Sequence, residues 1–198
     1  MKISTQRKII FMWFKDLKEH SDLIKPVAEI KPFLQKHYEK LGRQVAATTY
    51  SMLHYRYVMT LKQVTPGANL PEIPTSLRLL ESDAGGPVAI HEVSLNKKEP
   101  ELLETFYNQT YLKNFQSSVL KMKTVEADET KGEIRNLSIP ALNVDTLWLS
   151  YDEKKADGFV SIWDFEIKAK EVFSTEKFLP FINDLKYRLD KMKGPRGS

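Results

Sequence analysis

Two carboxylates, Asp145 and Asp164, have the residue type and the placement that suit acid–base or metal chemistry. Each lies at the outer end of an apolar run, and the two runs predict an antiparallel hairpin. If the carboxylates face each other across the ladder, a bound cation, a shared proton or the nearby guanidinium of Arg135 must offset their repulsion. Such a pair predicts a hydrolase-like or metal-dependent enzyme. The alternative is a pair of ordinary aspartates, solvated at the end of a sheet.

The hairpin itself follows from the spacing of apolar and polar residues. Segment Asp152–Gly158 is polar, ends in Asp-Gly and separates the apolar runs 144–151 and 159–165, as a turn between two strands does. A register in which the strands pair right up to this turn sets Leu147 opposite Ile162 and the two aspartates opposite each other. Both faces of the hairpin are largely apolar, which predicts a central position in the sheet.

One histidine, His91, could support the same chemistry from a neighbouring strand. It lies in the extended run 88–93, behind a turn formed by residues 83–87. The alternative is a hydrogen-bonded structural histidine. The four histidines have no metal-binding spacing, and the sequence has no cysteine, no Gly-x-Ser-x-Gly elbow and no phosphate-binding loop. The sequence therefore predicts no metal ligands and no cofactor.

A basic N-terminal region suggests a different class of function. Residues 1–64 contain 12 basic and 5 acidic side chains, a net charge of +7 within a total of +4. Near the end of this region Tyr55, Arg56 and Lys62 combine an aromatic ring with cations, the pattern of a nucleic-acid surface. The same tyrosines, at regular spacing, also suit a protein core.

The elements that position these residues predict an α+β fold, in which a helical N-terminal region and a C-terminal helix pack on an antiparallel sheet. Prolines cluster in residues 65–76 and predict a connector between a mainly helical basic region, 1–64, and an α+β region, 77–193, within one compact domain. Residues 194–198 are typical of an expression-tag remnant. The stretch 45–64 fits both a helix and a strand, and its length without a break favours the helix.

Further elements are predicted after the connector. Pro100 predicts the start of a helix over residues 100–113, and extended runs follow at 119–125 and 134–139. The last helix is predicted over residues 175–193. Its apolar stripe is expected to be buried against the hairpin strands and consists of Phe178, Ile182, Leu185, Leu189 and Met192.

Composition sets the remaining expectations. The chain has 198 residues with 41% hydrophobic and 28% charged side chains, as a globular protein does and a disordered one does not. The apolar run Ile9–Phe14 is too short for a membrane span or a secretion signal, which predicts a cytoplasmic protein with no membrane partner.

With no enzyme motif present, we expect a non-enzymatic binding or accessory domain with a protein partner. The alternatives are the carboxylate enzyme and a nucleic-acid binder.

Overall fold

The computed structural model of this chain describes residues 48–95, 100–125, 132–151, 157–163 and 172–192, together with 26–29, 32, 39–40 and 42. These residues form an α+β structure, as predicted. The chain divides into two compact units. The first contains the described residues up to Tyr55 and Thr75–Leu112, and the second contains Arg56–Pro74 and the described residues from Lys113 onward.

The predicted helical N-terminal region is described in part. Residues 26–29, 32 and 39–40 are helical. The amide of Gly42 donates to the carbonyl oxygen of Glu39 at 3.0 Å, and Gly42 has a φ of 64°, a left-handed conformation that is typical of the residue after a helix. The other residues before Thr48 lie outside the described part of the chain.

The stretch whose sequence fits both helix and strand forms strand β1, Thr49–Val58, so the predicted helix is wrong here. Tyr57 is buried, and Tyr55 packs on a buried cluster of the first unit that includes Leu77 and Val93. Aromatic residues favour strands because the pleated surface lets them pack against neighbouring strands. Contacts with distant strands thus decide the conformation of this segment.

The first unit contains an antiparallel meander. Strands β2 (Ser76–Asp83), β3 (Gly86–Ser94) and β4 (Leu102–Phe106) follow one another, and the order within the unit is β4-β3-β2-β1. The predicted turn after β2 is confirmed at residues 84–85. Residues 102–106, predicted as helix, form a strand instead, because they pair with β3.

Helix α1 spans Gln109–Val125, so residues 119–125 are helical and not extended as predicted. Its start is set by Asn108, whose Oδ1 accepts hydrogen bonds from the amides of Thr110 at 2.8 Å and Tyr111 at 3.3 Å. This is the geometry of an N-cap, which satisfies amides that have no partner inside the helix. The cap explains why the helix begins at Gln109 rather than at Pro100.

The second unit contains strands β5 (Gly132–Ile139), β6 (Val144–Tyr151), β7 (Gly158–Trp163) and β8 (Val172–Ser174). The order is β1-β5-β6-β7-β8, with the last residues of β1 at one side. β1 pairs with β5 in parallel and the other pairs are antiparallel. The sheet is therefore mixed, which corrects the antiparallel prediction.

The C-terminal helix, α2, spans Thr175–Met192, close to the predicted bounds. Phe178 and Ile182 are fully buried, whereas Leu185 and Leu189 are only partly buried. The ring of Phe178 stacks on that of Phe159 in β7. Full burial of the predicted stripe is thus confined to Phe178 and Ile182, and Met192 at its end is exposed, which corrects the prediction for that residue.

The predicted register of the β6–β7 hairpin is wrong, by two residues from Thr146 to Leu149 and by one residue at Asp145. Leu147 pairs with Val160 rather than Ile162, and Ile162 forms a bulge in β7. Asp145 pairs with Trp163, so the predicted direct opposition of Asp145 and Asp164 is not present. The side chain of Asp164 lies outside the described residues.

Candidate functional site

The predicted carboxylate site is not assembled as expected around Asp145. Its Oδ1 accepts a hydrogen bond of 2.6 Å from Nδ2 of the buried Asn136 in the neighbouring strand β5. In the β5–β6 register, Ser138 lies opposite Asp145 and Arg135 lies opposite Trp148. Residues three apart on a strand point to opposite faces. Arg135 therefore lies on the other face of the sheet and does not compensate Asp145.

Arg135 has its own partners on that face. Its Nε and Nη2 donate to Oε2 of Glu133 at 2.9 and 2.8 Å. Its guanidinium carbon lies 5.2 Å from the ring centroid of Tyr57 and 4.9 Å from that of Trp148, within range of a cation–π interaction. This geometry makes Arg135 a stacked and paired side chain of the sheet.

His91 is the predicted site residue that the structure places in a cluster of polar groups. The side chain is fully buried, with Nε2 2.9 Å from Oε2 of Glu81 and Nδ1 3.0 Å from Oγ1 of Thr105. Glu81 is also fully buried, while Thr105 on β4 is partly exposed. We call Glu81, His91 and Thr105 the His91 chain, since hydrogen bonds link a buried carboxylate to a hydroxyl on an outer strand.

The register of the first unit brings the His91 chain together. His91 pairs with Leu79 in β2 and with Thr105 in β4, and Glu81 is two residues beyond Leu79. Directly opposed and diagonal residues on one face of antiparallel strands are within reach of each other. The three side chains therefore lie on one face, on three adjacent strands.

The hydrogen-bond roles of the imidazole follow from its partners. An ionised Glu81 carboxylate can only accept a hydrogen bond, so the tautomer that fits it has the hydrogen of His91 on Nε2. In a neutral imidazole the other nitrogen then has a free lone pair, and Nδ1 accepts the hydrogen bond of the Thr105 hydroxyl. Carboxylate, imidazole and hydroxyl are thus aligned as in a nucleophile activated by a general base.

Two residues near the start of β1 complete the surroundings of Glu81. The hydroxyl of Thr48 donates to Oε1 of Glu81, and the Tyr50 ring meets the His91 ring edge-on, with centroids 6.1 Å apart. Burial and the negative charge of Glu81 raise the pKa of the Tyr50 hydroxyl well above its usual value. Tyr50 therefore stays neutral and leaves Glu81 with the only negative charge of this cluster.

A second polar cluster lies on the opposite face of the same strands. Arg78 is fully buried, and its Nη1 donates to the hydroxyl of Tyr111 at 2.9 Å. Its Nε is 3.7 Å from Oε2 of Glu92, whose Oε1 accepts a 2.7 Å hydrogen bond from Ser76. The guanidinium also covers the ring of Phe106, 4.8 Å from its centroid. Since a buried charge is costly unless it is paired, this cluster stabilises one arrangement of the strands.

The predicted nucleic-acid residues Tyr55, Arg56 and Lys62 have three different local surroundings. Tyr55 is partly buried against the core of the first unit. Arg56, the next residue in the strand, donates from Nη2 to Oγ of Ser138 at 3.0 Å in the second unit. Lys62 is exposed in a turn after β1. Nucleic-acid binding through these three residues stays a prediction.

Sequence reasoning missed Glu81 and Thr105. The turn at residues 83–87 has a clear sequence signal, whereas strand β2 before it has a weak one, because Leu80 interrupts the alternation of Ser76, Leu77, Arg78 and Leu79. A bulge between Glu81 and Ser82 sets the register that places Glu81 diagonally from His91, and the turn alone does not predict that bulge. Thr105 had no local signal, because Pro100 favoured a helix there.

Two classes of site are absent from the described part of the chain. No three or more His, Cys, Asp or Glu side chains there lie close enough together to hold a metal ion. Among the helices in the described ranges, none combines the length and apolarity needed to cross a membrane.

Searches against protein-family models, curated proteins and solved structures find no match to this chain.

Proposed function

We propose that this protein is a binding or accessory domain that acts by contacting another protein, in the cytoplasm. The observation that carries the proposal is the exposure of large apolar side chains at strand β4. Leu103 in that strand is 51% exposed and Tyr107, just after it, is 44% exposed. Aromatic and aliphatic anchors of this kind contribute much of the binding energy in protein interfaces.

The polar interior behind β4 supports the same reading. Glu81 and His91 are fully buried and hydrogen-bonded, and Arg78 and Glu92 are buried on the other face. Hydrogen-bonded and ion-paired groups of this kind fix the positions of strands. They give the surface around Leu103 a rigid support, which lowers the entropic cost of binding.

Site-specific photo-crosslinking in the source cells tests this proposal. A benzophenone amino acid replaces Leu103 or Tyr107, and for comparison Leu120 in α1, which is 48% exposed. We expect a discrete crosslinked protein at the two β4 positions, competed by purified wild type but not by a Leu103→Asp variant. If no position gives a competable adduct, the binding proposal is wrong. A competable adduct at Leu120 alone would support the binding function but would place the binding surface at α1 instead of β4.

A second candidate function, a hydrolase-like enzyme, is favoured by the His91 chain. In this reaction Oγ1 of Thr105 attacks an acyl carbon or a phosphorus atom, and its proton passes to Nδ1 of His91 and then to the leaving group. Water, the second substrate of a hydrolase, then gives its proton to His91 and cleaves the bond to Oγ1, which restores Thr105. Glu81 orients the imidazole and stabilises its cationic form. Of the three residues in the His91 chain, Thr105 alone is partly exposed. The substrate therefore has to approach at β4.

A fluorophosphonate probe decides this second candidate. The expected adduct forms between Oγ1 of Thr105 and phosphorus with loss of fluoride, and mass spectrometry locates it. His91→Gln should abolish the adduct while circular dichroism shows an intact fold. Thr105→Ser should retain it. No adduct on folded wild-type protein would rule out this use of Thr105.

A further inference from the structure

We infer that the outer edge of β4 binds an extended segment of another protein as an additional strand, with a Lys or Arg of that segment opposite Glu104. This inference rests on the proposed binding function and names the class of partner. A partner segment of this kind alternates basic and apolar residues.

The position of β4 makes strand addition feasible. β4 is the last strand in the order of its unit and pairs with β3, and no other strand in the described ranges pairs with its far side. The outer side of an edge strand presents backbone donors and acceptors that another chain can use. Main-chain hydrogen bonds would supply affinity, and the side chains beside them would supply specificity.

A bulge gives β4 two consecutive exposed side chains. Glu92 pairs with Glu104, but the next residue of β3, Val93, pairs with Leu102, so Leu103 is the additional residue. Residues in a regular strand alternate between faces, yet Leu103 and Glu104 are both exposed. An apolar anchor and a carboxylate therefore lie side by side at the edge.

The strand is held from both faces. On one face the ring of Phe106 stacks on Tyr111, with centroids 4.9 Å apart, beneath the guanidinium of Arg78. On the other face Thr105 is hydrogen-bonded to His91. A preorganised edge loses little conformational freedom on binding, which favours association.

Charge decides between a second copy of this chain and a basic partner. Strand Leu102–Phe106 contains Glu104 and no cation. A second β4 strand sets either another Glu104 or an uncharged residue opposite Glu104; the first is destabilising, and neither supplies an opposite charge. Glu101, just before the strand, is exposed as well. A basic side chain opposite Glu104 supplies the charge that β4 itself lacks, so we assign the edge to a basic segment.

Defined peptides test the inference on the full-length protein. The probe is a fluorescent peptide, acetyl-Ser-Val-Lys-Val-Thr-Val-amide, and its companion has Glu in place of Lys. Fluorescence anisotropy should show about two- to tenfold tighter binding of the Lys peptide, the range expected for one cross-strand ion pair against a like-charge pair. Glu104→Lys should reverse this preference. Glu176→Lys, the same charge change at an exposed site on α2, should leave it unchanged.

Two further measurements locate the bound peptide. Hydrogen exchange should slow within Leu102–Phe106. Two further peptides are N-methylated at one or the other set of alternate amides; the one whose methyl groups face β4 should lose binding, because it cannot complete the ladder, and the other should keep it. Equal affinity of the Lys and Glu peptides for both wild type and Glu104→Lys, or no binding of either, would overturn the inference. If a partner still crosslinks at Leu103, the binding function stands and only the strand addition fails. If the protein dimerises through β4, the edge binds a second copy of this chain, and the assignment to a basic segment is wrong.

Discussion

Phe159 and Phe178 stack face to face, with ring centroids 4.2 Å apart and planes 5° apart, and so join β7 to α2. Both rings are fully buried. Phe178→Ala should lower the free energy of unfolding by about 3–5 kcal/mol, because it removes apolar contacts and leaves a cavity. Urea unfolding measures the loss. The control, Phe181→Ala, removes the same atoms from a partly buried site and should cost less. Equal losses would contradict the packing of this helix.

The buried pair of Glu81 and His91 should be coupled energetically. Glu81→Gln and His91→Asn each leave a buried polar group with a poorer partner, and each should lower the free energy of unfolding by about 1–3 kcal/mol. The double variant should lose less than the sum of the two, by about 0.5–3 kcal/mol. Chemical denaturation of the four proteins closes the cycle, and additive losses would show that the two side chains do not interact.

Tyr50 should make stability depend on alkaline pH. Its pKa in the folded protein is raised, by burial and by Glu81, above the value of about 10 expected in the unfolded chain. Above that pH the unfolded chain releases the phenolic proton while the folded protein keeps it, so the unfolded state binds fewer protons and stability falls as the pH rises. Below about pH 10 the contribution is complete.

Melting temperatures between about pH 8 and 11 measure this effect. Tyr50→Phe has no proton to lose and should flatten the decline, whereas Tyr187→Phe, at a site that is 57% exposed, should leave the decline in place. A decline that is the same in wild type and Tyr50→Phe would show that other groups cause it.

The N-cap of α1 offers a local test of the fold. Asn108→Ala removes the side-chain acceptor for the amides of Thr110 and Tyr111 and should lower the free energy of unfolding by about 1 kcal/mol. Asn108→Asp retains an acceptor, so its free energy of unfolding, measured in guanidinium, should stay close to that of the wild type. If Ala and Asp behave alike, the helix does not depend on this cap.

Local signals were enough to predict several elements. Strand β6 has its predicted bounds, and α2 begins at Thr175 as expected. Both have strong periodicity and clear end signals, such as the polar segment after Tyr151. The hairpin register could not be predicted equally well, because a slip of two residues keeps every side chain on its face. The apolar pattern therefore fits Leu147 opposite Val160 as well as Ile162.

The candidate site depended on contacts that no local pattern contains. The sequence singled out His91 but gave no reason to place Thr105 beside it, since that contact needs β4 to pair with β3. Likewise, β1 is a strand because distant strands flank it, although its sequence fits a helix too. The predicted opposition of Asp145 and Asp164 failed because Ile162 forms a bulge in β7, and no local pattern predicts that bulge.

The parallel pairing of β1 with β5 has a consequence for biosynthesis. Arg56 pairs with Asn136 and Val58 with Ser138, so about 80 residues must be synthesised before the end of β1 can meet its partner. At a ribosomal rate of about 5–20 residues per second, this takes about 4–16 s. Non-local pairs of this kind form slowly and leave strand edges open to wrong partners. The aromatic end of β1 around Tyr57 is thus open to wrong partners until β5 has been synthesised.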